Sequence, residues 1–146
     1  LASAAAPGDA AAVAEVAGRL EHPDWTVRCC VVDALATVAG RGEERAVEAL
    51  ALRLQDPVGC VRSSAAVALG AVAEPGDARS IELLIEGLED ADSCVQRAVA
   101  DSLVAIAPRG DVRATAALAA RLEDRDGLVR LAAAEALAKV AHRGDE

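Results

Sequence analysis

The sequence predicts an all-α fold, a superhelical solenoid of stacked helical hairpins with a 34-residue period. Three observations carry that prediction. Glycine recurs at positions 8, 42, 76, 110 and 144. Cutting the chain there brings whole columns of apolar residues into register. Each segment between the cuts holds two stretches with helical hydrophobic spacing, and no alternating run suggests a strand.

The columns are Leu20, Leu54, Leu88 and Leu122; Val27, Val61, Val95 and Val129; Leu35, Leu69, Leu103 and Leu137; Ala39, Ala73, Ala107 and Ala141. They define units at 8–41, 42–75, 76–109 and 110–143. Leu1 and Ala5 fall in the columns of Leu35 and Ala39, so residues 1–7 read as the end of a preceding repeat. Residues 144–146 read as the start of a further one. The expectation is a longer array or a larger assembly.

The first helix of each unit is expected over Asp9–Leu20, Glu43–Leu54, Asp77–Leu88 and Asp111–Leu122. An acid opens each, where it complements the positive end of the helix dipole. The glycine just before it suits a left-handed turn closing the preceding helix. The second helix starts near residue 25 and its equivalents. Its core stripe reads Val27, Val31, Ala34, Leu35, Val38, then Val61, Ala65, Ala68, Leu69, Val72. Asp24, Asp92 and Asp126 stand where an N-cap is wanted. Alanine, about a quarter of the chain, favours helix and close helix approach. One hairpin cannot bury its own apolar faces, so neighbours must stack.

Composition narrows the function. Of 146 residues 53% are hydrophobic, which excludes a disordered chain. Trp25 is the sole aromatic and the net charge is −9, which disfavours stacking on bases and attraction to phosphate. Nucleic acid is therefore not an expected partner. The longest charge-free stretch, Ser63 to Ala73, is far short of the roughly 20 residues that span a bilayer, so no membrane insertion is expected. Cys29, Cys30, Cys60 and Cys94 form no metal-ligand spacing and read as free thiols of a reducing compartment, cytoplasm or plastid stroma. Cys60 and Cys94 share a column and are expected to be small buried fillers. His22 and His142 are isolated, and no catalytic set, cofactor site or metal site is evident.

Asp56-Pro-Val-Gly-Cys-Val-Arg62 followed by Ala65, Ala68-Leu69 and Val72 resembles the HEAT repeat. Asp90 to Gln96 and Asp124 to Arg130 repeat the pattern. The short unit resembles the HEAT-like subgroup named for phycobilisome lyases. The resemblance implies a right-handed superhelix and a ladder along the turns, carried here by Arg28, Asp56, Arg62, Asp90, Asp124 and Arg130. Two departures, His22 for Asp and Gln96 for Arg, imply weaker rungs without a threat to the fold.

The same resemblance places the remaining face of the second helices on the concave side. Its candidate partner-binding residues are Cys29, Val32, Asp33, Ser63, Ala66, Val67, Arg97, Ala100, Asp101, Leu131, Ala134 and Glu135, with Trp25 at the turn edge. Small side chains with acids at 33, 101 and 135 suit a helix or extended segment carrying basic residues. The third unit is net −4 and the fourth net +1, a gradient that can steer a partner into register. The expected function is a non-catalytic protein-binding scaffold. The alternative, implied by the subgroup, is a lyase-like factor acting on a bilin-carrying client protein. Against it stands the lack of aromatic and paired His residues to hold a tetrapyrrole.

Overall fold

A computed structural model describes residues 9–141. The part-repeats expected at 1–7 and 144–146, and His142, lie outside the described residues. Among the described residues there are eight α-helices and no strand: α1 Ala10–Ala17, α2 Trp25–Val38, α3 Glu44–Arg53, α4 Gly59–Val72, α5 Ala78–Gly87, α6 Ser93–Ile106, α7 Val112–Ala120 and α8 Gly127–Val140.

The first helices stop short of the expected ends. Past α3 and α5 the chain tightens into i→i−3 bonds, Leu54 N–H to the Ala51 carbonyl and Leu88 N–H to the Ile85 carbonyl, each at 3.2 Å. After α7 the same tightening gives a short 3-10 turn, Arg121–Glu123. The column leucines thus sit in the turn, where Leu54 is half-buried and Leu122 is exposed. Leu20 and Leu88 are buried there.

The starts follow the capping residues. Asp9, Asp77 and Asp111 accept backbone N–H groups at the head of α1, α5 and α7. Asp24, Asp92 and Asp126 do so for α2, α6 and α8. Val58 precedes α4 and supplies no side-chain cap.

The glycines have a role other than the one expected of them. Gly42, Gly76 and Gly110 do adopt positive φ, 81°, 85° and 79°. They do not cap the helix before them; Ala39, Ala73 and Ala107 end those helices in extended geometry. Each glycine N–H instead donates to the end of the second helix of the unit it opens: Gly42 to Val72, Gly76 to Ile106 and Gly110 to Val140, at 2.6–2.7 Å. The left-handed turn aims the N–H away from the helix just ended and onto the second helix of the glycine's own unit.

The second helices pack side by side in chain order, α2 on α4, α4 on α6, α6 on α8. Each first helix lies on its own partner, α3 on α4 and α5 on α6. The result is an α-solenoid of two helical layers sharing one continuous core. Leu35, Leu69 and Leu103 are fully buried in it. Each such leucine contributes about 1.5–3 kcal/mol relative to exposure. The α4–α6 contact is the closest-fitting: Ser102 Oγ donates 2.7 Å to the Ala66 carbonyl, and a Cβ on Gly70 would lie 3.0 Å from the Ser102 Cβ.

The second-helix stripe differs at the ends. Val61, Ala65, Ala68, Leu69 and Val72 are all buried, but Ala34, in the column of Ala68, is exposed. That column faces the preceding unit, and Ala34 has no described helix against it.

Candidate partner-binding face

One helical step separates covered from free positions on the second helices. Asp33, Val67, Asp101 and Glu135 share a column, and all four are exposed. Val67 stands out of the surface at 58% of its full accessibility. In the neighbouring column Arg97 and Leu131 are exposed, while Cys29 and Ser63 are half-buried.

The column one residue earlier is a correction. Val32, Ala66 and Ala100 are buried and cannot meet a partner. They pack against the following unit, as the Ser102 hydroxyl on the Ala66 carbonyl shows. Ala134, in the same column, is exposed because α8 is the last described helix. The cysteine expectation also fails: Cys60 and Cys94 are exposed, not buried fillers. Both lie in the first turn of their helices, on the side away from the core. Trp25, at the start of α2, remains 43% exposed.

Beside this face runs a line of inter-repeat ion pairs. Arg28 Nε and Nη2 donate to the two Asp56 carboxylate oxygens at 2.8 and 3.0 Å. Arg62 makes the same fork on Asp90 at 2.8 and 3.0 Å. Spare guanidinium N–H groups satisfy turn carbonyls, Arg28 on His22 and Pro23, Arg62 on Asp56. At the third boundary Gln96 reaches Asp124 with one bond of 3.3 Å and turns its amide to the Leu88 carbonyl at 2.9 Å. Arg130 pairs with no carboxylate among the described residues and folds back on the Asp124 and Arg125 carbonyls.

Each ladder Asp also closes its own turn. Asp56, Asp90 and Asp124 accept the N–H two residues on, each at 2.9 Å. His22 keeps that function, accepting the Asp24 N–H on Nδ1 at 3.0 Å, and gives up only the charge. Burial resists ionisation of Asp56, but the hydrogen bonds from Arg28 and from the Val58 N–H outweigh it and hold the carboxyl below its usual range. Asp90 raises the Arg62 guanidinium in the same way.

Sequence reasoning missed a second arginine column. Arg53 ends α3, Arg121 opens the 3-10 turn after α7, and both reach back to the preceding turn, onto the Leu20 and Leu88 carbonyls. The register showed Arg19, Arg53, Gly87 and Arg121 in line. Nothing in that column disclosed contacts some 33 residues away.

Among the described residues no group of His, Cys, Asp and Glu converges as a metal site, and no helix is long and apolar enough to cross a membrane. The HEAT-repeat family profile matches residues 1–70 and 60–138. The chain belongs to the HEAT-repeat family. No curated protein matches it. HEAT repeats generally mediate protein–protein interaction and typically form non-catalytic scaffolds. The Arg28–Asp56 and Arg62–Asp90 pairs join successive HEAT units, and the glycine bonds close each unit on itself.

Proposed function

We propose that this HEAT array is a non-catalytic scaffold that docks one protein segment along the concave face made by its second helices. The observation that carries the reading is the exposed column Asp33, Val67, Asp101, Glu135. Three carboxylates and one apolar side chain stand on successive helices, about 10 Å apart at ordinary helix spacing. A basic helix or extended strand matches that charge and repeat. Leu131 and Val67 supply apolar contact between the charges. Four free thiols, three of them exposed, suit a reducing compartment.

The test is capture of partners by the wild-type chain and by a triple variant, Asp33→Lys, Asp101→Lys and Glu135→Lys. These side chains are exposed, so the variant should melt as the wild type does. One stoichiometric protein bound by the wild type and lost by the variant is the expected result. Equal capture by both would move the interface off this face.

A further inference from the structure

Two arginines show how this scaffold holds a guanidinium between units. Arg53 Nη1 donates 3.1 Å to the Leu20 carbonyl of the preceding turn and lies 3.5 Å from Asp56 Oδ2. Arg121 Nη1 lies 3.5 Å from the Leu88 carbonyl and 3.7 Å from Asp124 Oδ2. Both guanidiniums therefore bridge a turn carbonyl and the ladder Asp of the next unit. The unit between them has Gly87 at this position. No donor among the described residues reaches Leu54, the carbonyl equivalent to Leu20 and Leu88. A cleft of about 460 Å³ opens at that boundary, lined by the apolar Leu54, Leu83 and Val99 and by the charged Asp90, Glu86, Glu89 and Arg62.

The geometry points to a binding site for one arginine side chain of a partner protein in this cleft. Its guanidinium donates to the Leu54 carbonyl and to Asp90, the acceptors that the chain's own arginines use at the flanking boundaries. Pairing of Asp90 with Arg62 does not prevent this, because Asp56 Oδ2 meets Arg28 and Arg53 together. The apolar wall takes the methylene stem. The site favours arginine over lysine because two separated acceptors must be met by one planar fork. The chain cannot easily fill the cleft itself: a Cβ on Gly87 would lie 2.9 Å from Val99 Cγ2.

The site lies on the turn edge, apart from the exposed column, and its test needs no partner. The ¹⁵N-labelled chain is titrated with acetyl-arginine amide, acetyl-citrulline amide and acetyl-lysine amide. Saturable amide shifts are expected at Leu54, Gln55 and Gly87 to Asp90 with the arginine compound, half-maximal on the order of 1 mM. Citrulline and lysine should bind at least about tenfold more weakly. Arg53→Ala opens the matching position at the first boundary and should add a second arginine-dependent set at Leu20 and Glu21. Gly87→Arg combined with Val99→Ala supplies the guanidinium internally and should abolish the original set. Shifts that do not saturate, that spread over all exposed carboxylates, or that citrulline reproduces would overturn the assignment whatever the variants do. Partner capture on the second-helix face would be untouched by that failure.

Discussion

Arg28 and Asp56, 28 positions apart, meet through two parallel hydrogen bonds of 2.8 and 3.0 Å, with both residues buried. They tie the first described unit to the second. At the third boundary the uncharged Gln96 amide gives Asp124 one bond of 3.3 Å.

Asp56→Asn should therefore cost more than Asp124→Asn. Asparagine keeps the turn acceptor in both, so only the rung differs. The Arg28 rung loses a two-bond, charge-assisted fork, while the Gln96 rung weakens one longer bond, so a gap of about 1–3 kcal/mol is expected. Urea unfolding followed by circular dichroism measures it. Equal losses would mean that the fork adds nothing to register.

The same rung carries a pH dependence. The Asp56 carboxyl is held below its ordinary value of 3.8, so the folded state binds its proton more weakly than the unfolded chain. Its stabilisation is fully present above that value and is lost as pH falls through the lower folded pKa. Asp24, lowered by Thr26, and Asp126, lowered by Leu128 and Ser93, act in the same direction. The unfolding midpoint should fall steeply below about pH 4. The gap between wild type and Asp56→Asn should narrow over the same range.

Gln96→Arg should complete the ladder. Arg62 supplies the template: a fork on the next Asp and a third bond to the turn carbonyl. The expected gain is about 1 kcal/mol, seen as a higher melting temperature. A drop would show that the Leu88 carbonyl, which Gln96 now serves, cannot spare its donor.

Gly70→Ala should destabilise even though alanine is the better helix former. The new methyl would lie 3.0 Å from Ser102 Cβ and 3.1 Å from its Cα, and a backbone atom cannot step aside. Overpacking costs about 1–3 kcal/mol, against a propensity gain near 1. A more stable variant would mean that α4 and α6 can separate cheaply.

Trp25 and Val58 should be coupled. A Cβ on Gly59 would run into the Asp92 cap of the next unit, and Ser93 hydrogen-bonds the Asp126 cap. Repeat equivalence sets Trp25 over Val58, the one second-helix N-cap position without a capping side chain. Val58→Asp should destabilise wild type but stabilise Trp25→Ser by roughly 1 kcal/mol, through the restored cap. Additive effects in the double-mutant cycle would separate the two residues.

Much of this was legible in the chain. The capping role of Asp24, Asp92 and Asp126, and the positive φ of Gly42, Gly76 and Gly110, follow from local backbone chemistry that each residue type carries with it. The direction in which those glycines bond was not legible, because the acceptor lies at the far end of the unit and is brought close only by the folding of the hairpin.

By itself the sequence determined the period, the helical hairpin and the column of every ladder residue, since these depend on spacing and residue type within one unit. Only the tertiary structure decided which columns stay free. A helix turns about 100° per residue, so moving from Val32 to Asp33 passes from the packed flank to the open surface. Alanine and valine occupy both flanks, and their hydrophobicity alone does not say which neighbour covers them. The cleft at Gly87 was set the same way: it opens where a glycine replaces the arginine that reaches across the flanking boundaries.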